Sequence, residues 1–227
     1  MQIQELTLQT RHVASQKTFY SRTLGWPLLS ESPDSFTVKV GTTRLCFQQT
    51  EQDVLYHLAV TIPRNTFPEA KCWVQQRVPL LQRQGEDELF FANLNARSFY
   101  FCDPAGNILE YIVHYELDRE TPGAFGATSV LHVSEIGLPV EDVSAFAELV
   151  SRQFAIEPYR GMISETFAFL GDRVGQLVVV KINRPWLPTE TVRAAVAPVS
   201  LTISGQCEQQ IQFFPYPYSI TVTRVAQ

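Results

Sequence analysis

The sequence predicts an α+β protein built from tandem βαβββ units, with mixed sheets curved into cups and a fourth, abbreviated unit. Three observations predict this class. Short alternating runs typical of strands recur along the whole chain. An amphipathic helical segment follows the first strand of three units. The order of one strand, one helix and three strands then repeats, and a repeat at this level defines the architecture more strongly than any single motif.

The first unit begins with the alternating run IQELTLQT at residues 3–10. In the next segment Phe19, Tyr20 and Leu24 share one face of a predicted helix. That helix is expected to end at Gly25, because glycine commonly follows the last helical turn. Three further strands are predicted at 26–31, 35–41 and 43–49.

The second unit repeats this order. YHLAVTIP at 56–63 is its first strand, and a helix is predicted within 67–81, beginning near Pro68, since proline is favoured in a first helical turn. Strands are predicted near 89–92, 98–102 and 107–114. The last two flank the turn sequence DPAGN and form an antiparallel hairpin.

The third unit has a strand at 133–140 and a helix within 141–155. Its later strands are predicted at 159–163, 166–170 and 176–182. The fourth unit begins at 197–205, has no room for a full helix, and closes with a strand at 218–224. The expected domains are residues 1–115 and 130–227, separated by a linker at 116–129.

Composition excludes several function classes. The formal net charge is −5, the isoelectric point is about 5.4 and no Lys/Arg-rich run occurs, which argues against a nucleic-acid surface. No apolar run approaches the roughly 18 residues that a membrane span needs, and the first residues lack a signal-peptide pattern. The cysteines lack CxxC spacing, which predicts reduced thiols in a cytoplasmic protein; they are Cys46, Cys72, Cys102 and Cys207.

Side chains alternate across a strand, so sequence parity assigns faces. Glu5 lies on the face opposite Leu6 and Leu8, and His57 lies opposite the apolar face of its strand. Glu110 is a carboxylate in the otherwise apolar strand ILEYIVH. Carboxylates are rarely buried without a partner. One imidazole and two carboxylates would together bind a divalent ion, and oxygen-rich ligation favours manganese, magnesium or zinc.

The sequence resembles the vicinal oxygen chelate superfamily, which includes glyoxalases, extradiol dioxygenases and bleomycin-resistance proteins. The phrases FYSRTLGW, YHLAVTI and SFYFCDPAGNILEYI carry the resemblance, which is strong over 3–115 and weaker over 130–225. The resemblance implies two glyoxalase-like domains with metal ligands on the first, fifth and eighth strands. These positions fall on Glu5, His57 and Glu110, although the family usually has His or Gln where this chain has Glu5.

In some members of the family two domains pair, and each site borrows its first-strand ligand from the neighbouring domain. In this chain that donor would be Glu135, which follows its strand start as Glu5 does. The second half is not expected to build a site of its own. Its position matching His57 is predicted to be Pro198, and its last strand, YSITVTR, has no carboxylate.

The resemblance implies a metal-dependent enzyme acting on a small oxygenated substrate that is chelated through adjacent oxygens. The reaction class is left open among isomerase, lyase, transferase and dioxygenase. The implied cofactor is one divalent ion (manganese, zinc, iron(II), nickel or magnesium), and Glu110 is the candidate catalytic residue. The alternative is a metal-free small-molecule binding or resistance protein of the bleomycin-resistance type. The expected partners are a small molecule and, in a homodimer, a second copy of the chain.

Overall fold

The computed structural model describes residues 1–205 and 208–224, so Cys207 lies outside the described residues. The described residues form two curled sheets, one of seven strands and one of eight. Cys46, Cys72 and Cys102 are free thiols, as expected. No helix among the described residues is long and apolar enough to span a bilayer.

The first unit follows the predicted order of elements. It consists of β1 (Ile3–Thr10), α1 (Val13–Thr18), a short π-helix (Phe19–Thr23), β2 (Leu28–Ser32), β3 (Ser35–Val40) and β4 (Thr43–Gln49). The Leu24 amide donates to the Phe19 carbonyl, the five-residue step of a π-turn. This turn places Tyr20 in the core, where its ring stacks on Trp26 and Phe47.

The second unit comprises β5 (His57–Thr61), α2 (Phe67–Gln75), β6 (Leu89–Phe91), β7 (Ala96–Cys102) and β8 (Ile108–His114). Pro68 lies in the first turn of α2, as predicted. The β7–β8 turn is closed by Asp103, whose carboxylate accepts from the Ala105 and Asn107 amides at 2.9 and 3.0 Å.

The same carboxylate links two units. Its second oxygen accepts from the Tyr20 hydroxyl at 2.7 Å and from Gln16 Nε2 at 2.8 Å, both on the first helical segment. Asn107 Nδ2 donates to that oxygen as well, at 2.7 Å. Asp103 is only 5% exposed, so its charge is stabilised by these donors and not by water. Its role is structural, in agreement with the turn chemistry predicted for this segment.

The third unit comprises β9 (His132–Val140), α3 (Val143–Phe154), β10 (Pro158–Ser164), β11 (Phe167–Gly171) and β12 (Gln176–Lys181). The fourth comprises β13 (Val199–Gly205), β14 (Gln209–Gln212) and β15 (Tyr218–Arg224). Helix α3 begins after Asp142, whose side chain caps the Ala145 amide. The described part of the fourth unit contains no helix, which confirms its abbreviation. Strand β14 was not anticipated.

The pairing of units differs from the expected one. In the seven-stranded sheet β1 pairs with β13, so the first unit joins the fourth; in the eight-stranded sheet β5 pairs with β9, so the second joins the third. Segment 116–129 is irregular, but it connects two strands of one sheet. The expected domains, residues 1–115 and 130–227, each combine two consecutive units, whereas the sheets join the first unit to the fourth and the second to the third.

The physical reason lies in the burial of the first strands. Strands β5 and β9 are buried at every position, whereas β1 and β13 alternate between buried and partly exposed residues. Strands that are buried on both faces are stabilised when they pair with each other. In this sheet helices cover one face, and the other face lines a covered cavity. The two half-exposed strands form the centre of the other sheet.

Candidate metal centre

The register of the eight-stranded sheet brings three polar residues together. Ala59 on β5 pairs with Glu110 on β8 and with Glu135 on β9. Residues in register point to the same face, so both carboxylates flank the small Ala59 side chain. His57 lies two residues earlier on β5 and therefore shares that face.

The three side chains meet in a buried cluster. One potential ligand atom from each of His57, Glu110 and Glu135 lies within 4.8 Å of the other two. His57 Nε2 lies 3.5 Å from Glu110 Oε2. His57 Nδ1 lies 3.3 Å from the Ile108 carbonyl, which orients the ring so that Nε2 faces the carboxylates. The three residues are 6%, 4% and 2% exposed, respectively.

The predicted convergence of His57 and Glu110 on one cavity is observed, and Glu135 is their neighbour. Glu5 is not brought to this cluster. It lies on β1 in the other sheet, its side chain is 44% exposed, and its carboxylate pairs with Arg44 Nε at 3.1 Å. The expectation that Glu5 completes the site is corrected, because its cup is shared with the fourth unit and not with the second.

The register also shows which residues occupy equivalent positions in the other sheet. Glu135 pairs with Ala59, and the equivalent pair in the seven-stranded sheet is Glu5 and Thr202. His57 lies two residues before Ala59, so its equivalent is Ser200, two residues before Thr202. This corrects the predicted match, Pro198, by two residues. Thr221 pairs with Thr202 and takes the place of Glu110. Among the described residues, no second group of three metal-capable side chains is found.

Burial governs the charges of the cluster. Loss of hydration raises the pKa of Glu110 to about 7, although the Ser98 and Tyr100 hydroxyls oppose the shift. Burial, and then the charge of Glu110, raise the pKa of Glu135 well above its ordinary value. Burial lowers the pKa of His57 to about 4; the Ile108 carbonyl opposes this shift and the Arg184 charge adds to it. The imidazole is therefore neutral near pH 7, the form that ligates metals.

The residues fit a divalent ion. Glu135 Oε1 is buried without a hydrogen-bond partner among the described residues, and two buried carboxylates face one another. A cation at this place would satisfy that oxygen and offset the repulsion between the two charges. Neutral imidazole nitrogen and carboxylate oxygen are ordinary ligands of divalent transition metals.

The cluster lies in a cavity of about 430 Å³. Aromatic side chains form much of its wall: Phe90, Phe91, Tyr100, Phe167, Phe169 and Trp186. Arg184 also lines the cavity, whereas His114 and His132 are not among its lining residues. Arg184 and Trp186 were not anticipated as site residues, because their stretch of sequence has neither helix nor strand periodicity.

Residues 182–196, here termed the covering segment, connect β12 to the fourth unit across the cavity. The segment is bonded to itself: the Ala194 amide donates to the Arg184 carbonyl and the Trp186 amide donates to the Val192 carbonyl, both at 2.9 Å. These bonds hold Trp186 over the cluster, with its ring centroid 5.0 Å from that of His57.

Gly137 on β9 makes this approach possible. A Cβ atom built at this position would lie 2.5 Å from Cη2 of Trp186, closer than real contacts allow. We expect Gly137→Ala to push the indole off the cluster and to destabilise the protein by about 1–3 kcal/mol. Urea denaturation and a change in tryptophan emission would measure both effects. Gly123→Ala, where the added methyl meets nothing within 4 Å, is the matched control; equal behaviour of the two variants would contradict the packing described.

Comparison with known proteins supports the fold. No family model matches the sequence, and no curated protein matches it. The structure is similar to that of a proposed dioxygenase from Bacillus subtilis, with a TM-score of 0.64 and 14% identity over 98% of this chain and 85% of that chain. It also matches lactoylglutathione lyase from Agrobacterium tumefaciens, with a TM-score of 0.42 and 18% identity over 51% of this chain and 96% of that chain. The chain has the fold of the vicinal oxygen chelate superfamily.

Proposed function

We propose that this protein is a metal-dependent enzyme that holds one divalent ion through His57, Glu110 and Glu135. Its substrate would be a small molecule that binds the ion through adjacent oxygens. The observation that carries the proposal is the buried cluster itself, with three potential ligand atoms within 4.8 Å. Two buried carboxylates with raised pKa values destabilise a metal-free fold at neutral pH, and ion binding would remove that cost.

The sheet leaves room for substrate at the ion. In the second unit, Glu110 on the last strand pairs with Ala59 on the first strand. The corresponding pair in the third unit is Val178 and Gly137. The position equivalent to Glu110 is therefore apolar in the third unit. The strands of this sheet thus supply three ligands, and further coordination positions are free for oxygens of water or substrate. When bound, a divalent ion polarises substrate oxygens and stabilises negative charge on them. Isomerase, lyase, transferase and dioxygenase reactions that proceed at a bound divalent ion are all compatible with this chemistry.

The side chains of the cavity have separate roles in this proposal. Glu110 is the candidate catalytic residue, because a ligand carboxylate that detaches from the ion could act as general base on a proton next to a substrate carbonyl. The Tyr100 ring packs beside His57, with 6.4 Å between ring centroids, and its hydroxyl accepts from Ser98 at 3.1 Å. Trp186 covers His57 and excludes water from that side of the cluster.

Metal analysis tests the proposal. The purified protein is depleted with chelator, dialysed against manganese, zinc, iron(II), nickel or magnesium, and measured for bound metal per chain. We expect one equivalent of at least one ion, lost in His57→Ala and retained in His132→Ala, a buried histidine outside the cavity. If no ion binds, the aromatic cavity favours the alternative, a metal-free small-molecule binding protein.

Ion affinity should fall with acidification through the titration of Glu110. Below its pKa of about 7 the carboxyl holds a proton, which the ion must displace. Each displaced proton lowers the affinity roughly 10-fold per pH unit below that pKa. The pKa of His57 is lowered to about 4, so the imidazole does not contribute to this dependence near neutral pH. Calorimetric titrations between about pH 6 and 8 measure the slope; an affinity independent of pH would contradict the assignment.

A further inference from the structure

The covering segment contributes one positively charged side chain, that of Arg184, to the wall of the cavity. Arg184 is half-buried and lines the same space as the three candidate ligands. Its guanidinium carbon lies 5.0 Å from the centroid of the Phe167 ring. Within the described residues the guanidinium has no carboxylate partner, although other arginines of the chain do, as Arg160 pairs with Glu116.

An unpaired guanidinium in this position calls for an explanation. Burial costs a charged group hydration, and arginines that are removed from water are ordinarily paired. The aliphatic stem and the Phe167 ring account for the apolar contacts of Arg184. They do not account for its N–H donors, for which no side-chain acceptor is found among the described residues.

Charge balance indicates what the donors could bind. The acidic and basic groups that line the cavity beside His57 are Glu110, Glu135 and Arg184. A divalent ion would neutralise the two carboxylates, which leaves the guanidinium as the net charge of the loaded site. A ligand with one negative group would therefore be electrostatically complementary to it.

We infer that Arg184 binds a carboxylate of the substrate, and that the substrate is an aromatic or similarly flat carboxylic acid. The planar guanidinium matches a carboxylate through two parallel hydrogen bonds. The aromatic wall formed by Phe90, Phe167, Phe169 and Trp186 suits a flat apolar ring between the cation and the metal cluster. This inference rests on the proposed function, because the bound ion is what offsets the charges of Glu110 and Glu135.

The test uses metal-free protein with the substitutions Glu110→Gln and Glu135→Gln, in which the cluster has no carboxylate charge, as the reference protein. Two nearly isosteric probes, benzoate and benzamide, are titrated by calorimetry with tryptophan fluorescence as a second readout. The reference protein should bind benzoate roughly 10-fold more tightly than benzamide, since a charge-assisted pair exceeds a neutral hydrogen bond by this order. Arg184→Met keeps the contact with Phe167 and should abolish the preference, whereas Arg184→Lys should retain part of it.

The matched control is Lys181→Met, which removes one exposed positive charge three residues away, outside the cavity. It should keep the preference for benzoate. The inference is overturned if the reference protein does not prefer benzoate, if neither probe binds, or if adding Arg184→Met retains the preference. Because the reference protein has neither metal nor carboxylate charge at the cluster, these results are independent of whether the native cluster binds an ion.

Discussion

The substitution Glu110→Gln is expected to stabilise the metal-free protein. It is also expected to abolish the stabilisation of the protein by divalent ions. Near pH 8 the wild-type carboxyl must ionise in a buried site next to Glu135, whereas the amide carries no charge. Metal-free Glu110→Gln should therefore be more stable than wild type by roughly 1–3 kcal/mol. With free ion at about 100 times the dissociation constant, wild type should gain roughly 2.7 kcal/mol and the variant almost nothing.

The sign of the effect depends on pH. In the metal-free fold the pKa of Glu110 is raised from 4.5 to about 7, so the folded protein binds more protons than the unfolded chain across this interval. The stability of wild type falls as pH rises through it, and the advantage of the amide is present above about pH 7 and absent below about 4.5. Denaturant titrations of wild type and Glu110→Gln, with and without ion at both ends of this interval, measure how the difference in stability changes with pH.

Glu5→Gln is the control for this comparison, because Glu5 is a half-exposed carboxylate on the first strand of the other sheet. It should leave both the metal-free stability and the gain from the ion nearly unchanged. The account would be contradicted if Glu110→Gln lowered metal-free stability near pH 8, or if the variant kept the gain from the ion.

The largest structural effect is expected from Asp103→Ala, which should cost about 3–5 kcal/mol of unfolding free energy. The substitution removes a buried acceptor shared by the Tyr20 hydroxyl and Gln16 Nε2 and by the turn between β7 and β8. Those donors would be left in the core without partners, and the hydrogen bonds between Asp103 and the first unit would be lost. Urea denaturation measures the loss.

Asp53→Ala provides the comparison, since its carboxylate is 83% exposed and pairs with Arg11 at the surface. Exposed pairs contribute about 0–1 kcal/mol, so this variant should be nearly as stable as wild type. A similar cost for the two substitutions would show that the Asp103 network contributes little to the fold.

Much of the fold could be predicted because strand alternation and helix periodicity are local. The first strands differ in burial, since HLAVT at β5 is buried at every position and IQELTLQT at β1 is not. The pairing of consecutive units was expected from their order along the chain, and the burial that distinguishes the first strands is set only by the complete fold.

The candidate site was predictable in part for a physical reason. His57 and Glu110 lie on adjacent strands of one unit, so their convergence follows from local topology. The duplication makes Glu5 and Glu135 equivalent by sequence, and only the pairing of units distinguishes them. Arg184 and Trp186 reach the cavity through an irregular segment whose path depends on long-range contacts, so no periodic pattern could place them.

X-ray diffraction with anomalous scattering, on crystals grown with manganese(II), tests the central claim most directly. The account predicts one anomalous peak per chain at the buried cluster, bonded to Nε2 of His57 and to carboxylate oxygens of Glu110 and Glu135. The same crystals should show no peak at Glu5. An empty cluster in the presence of saturating manganese, or an ion bound elsewhere while these three side chains contact only one another, would contradict it.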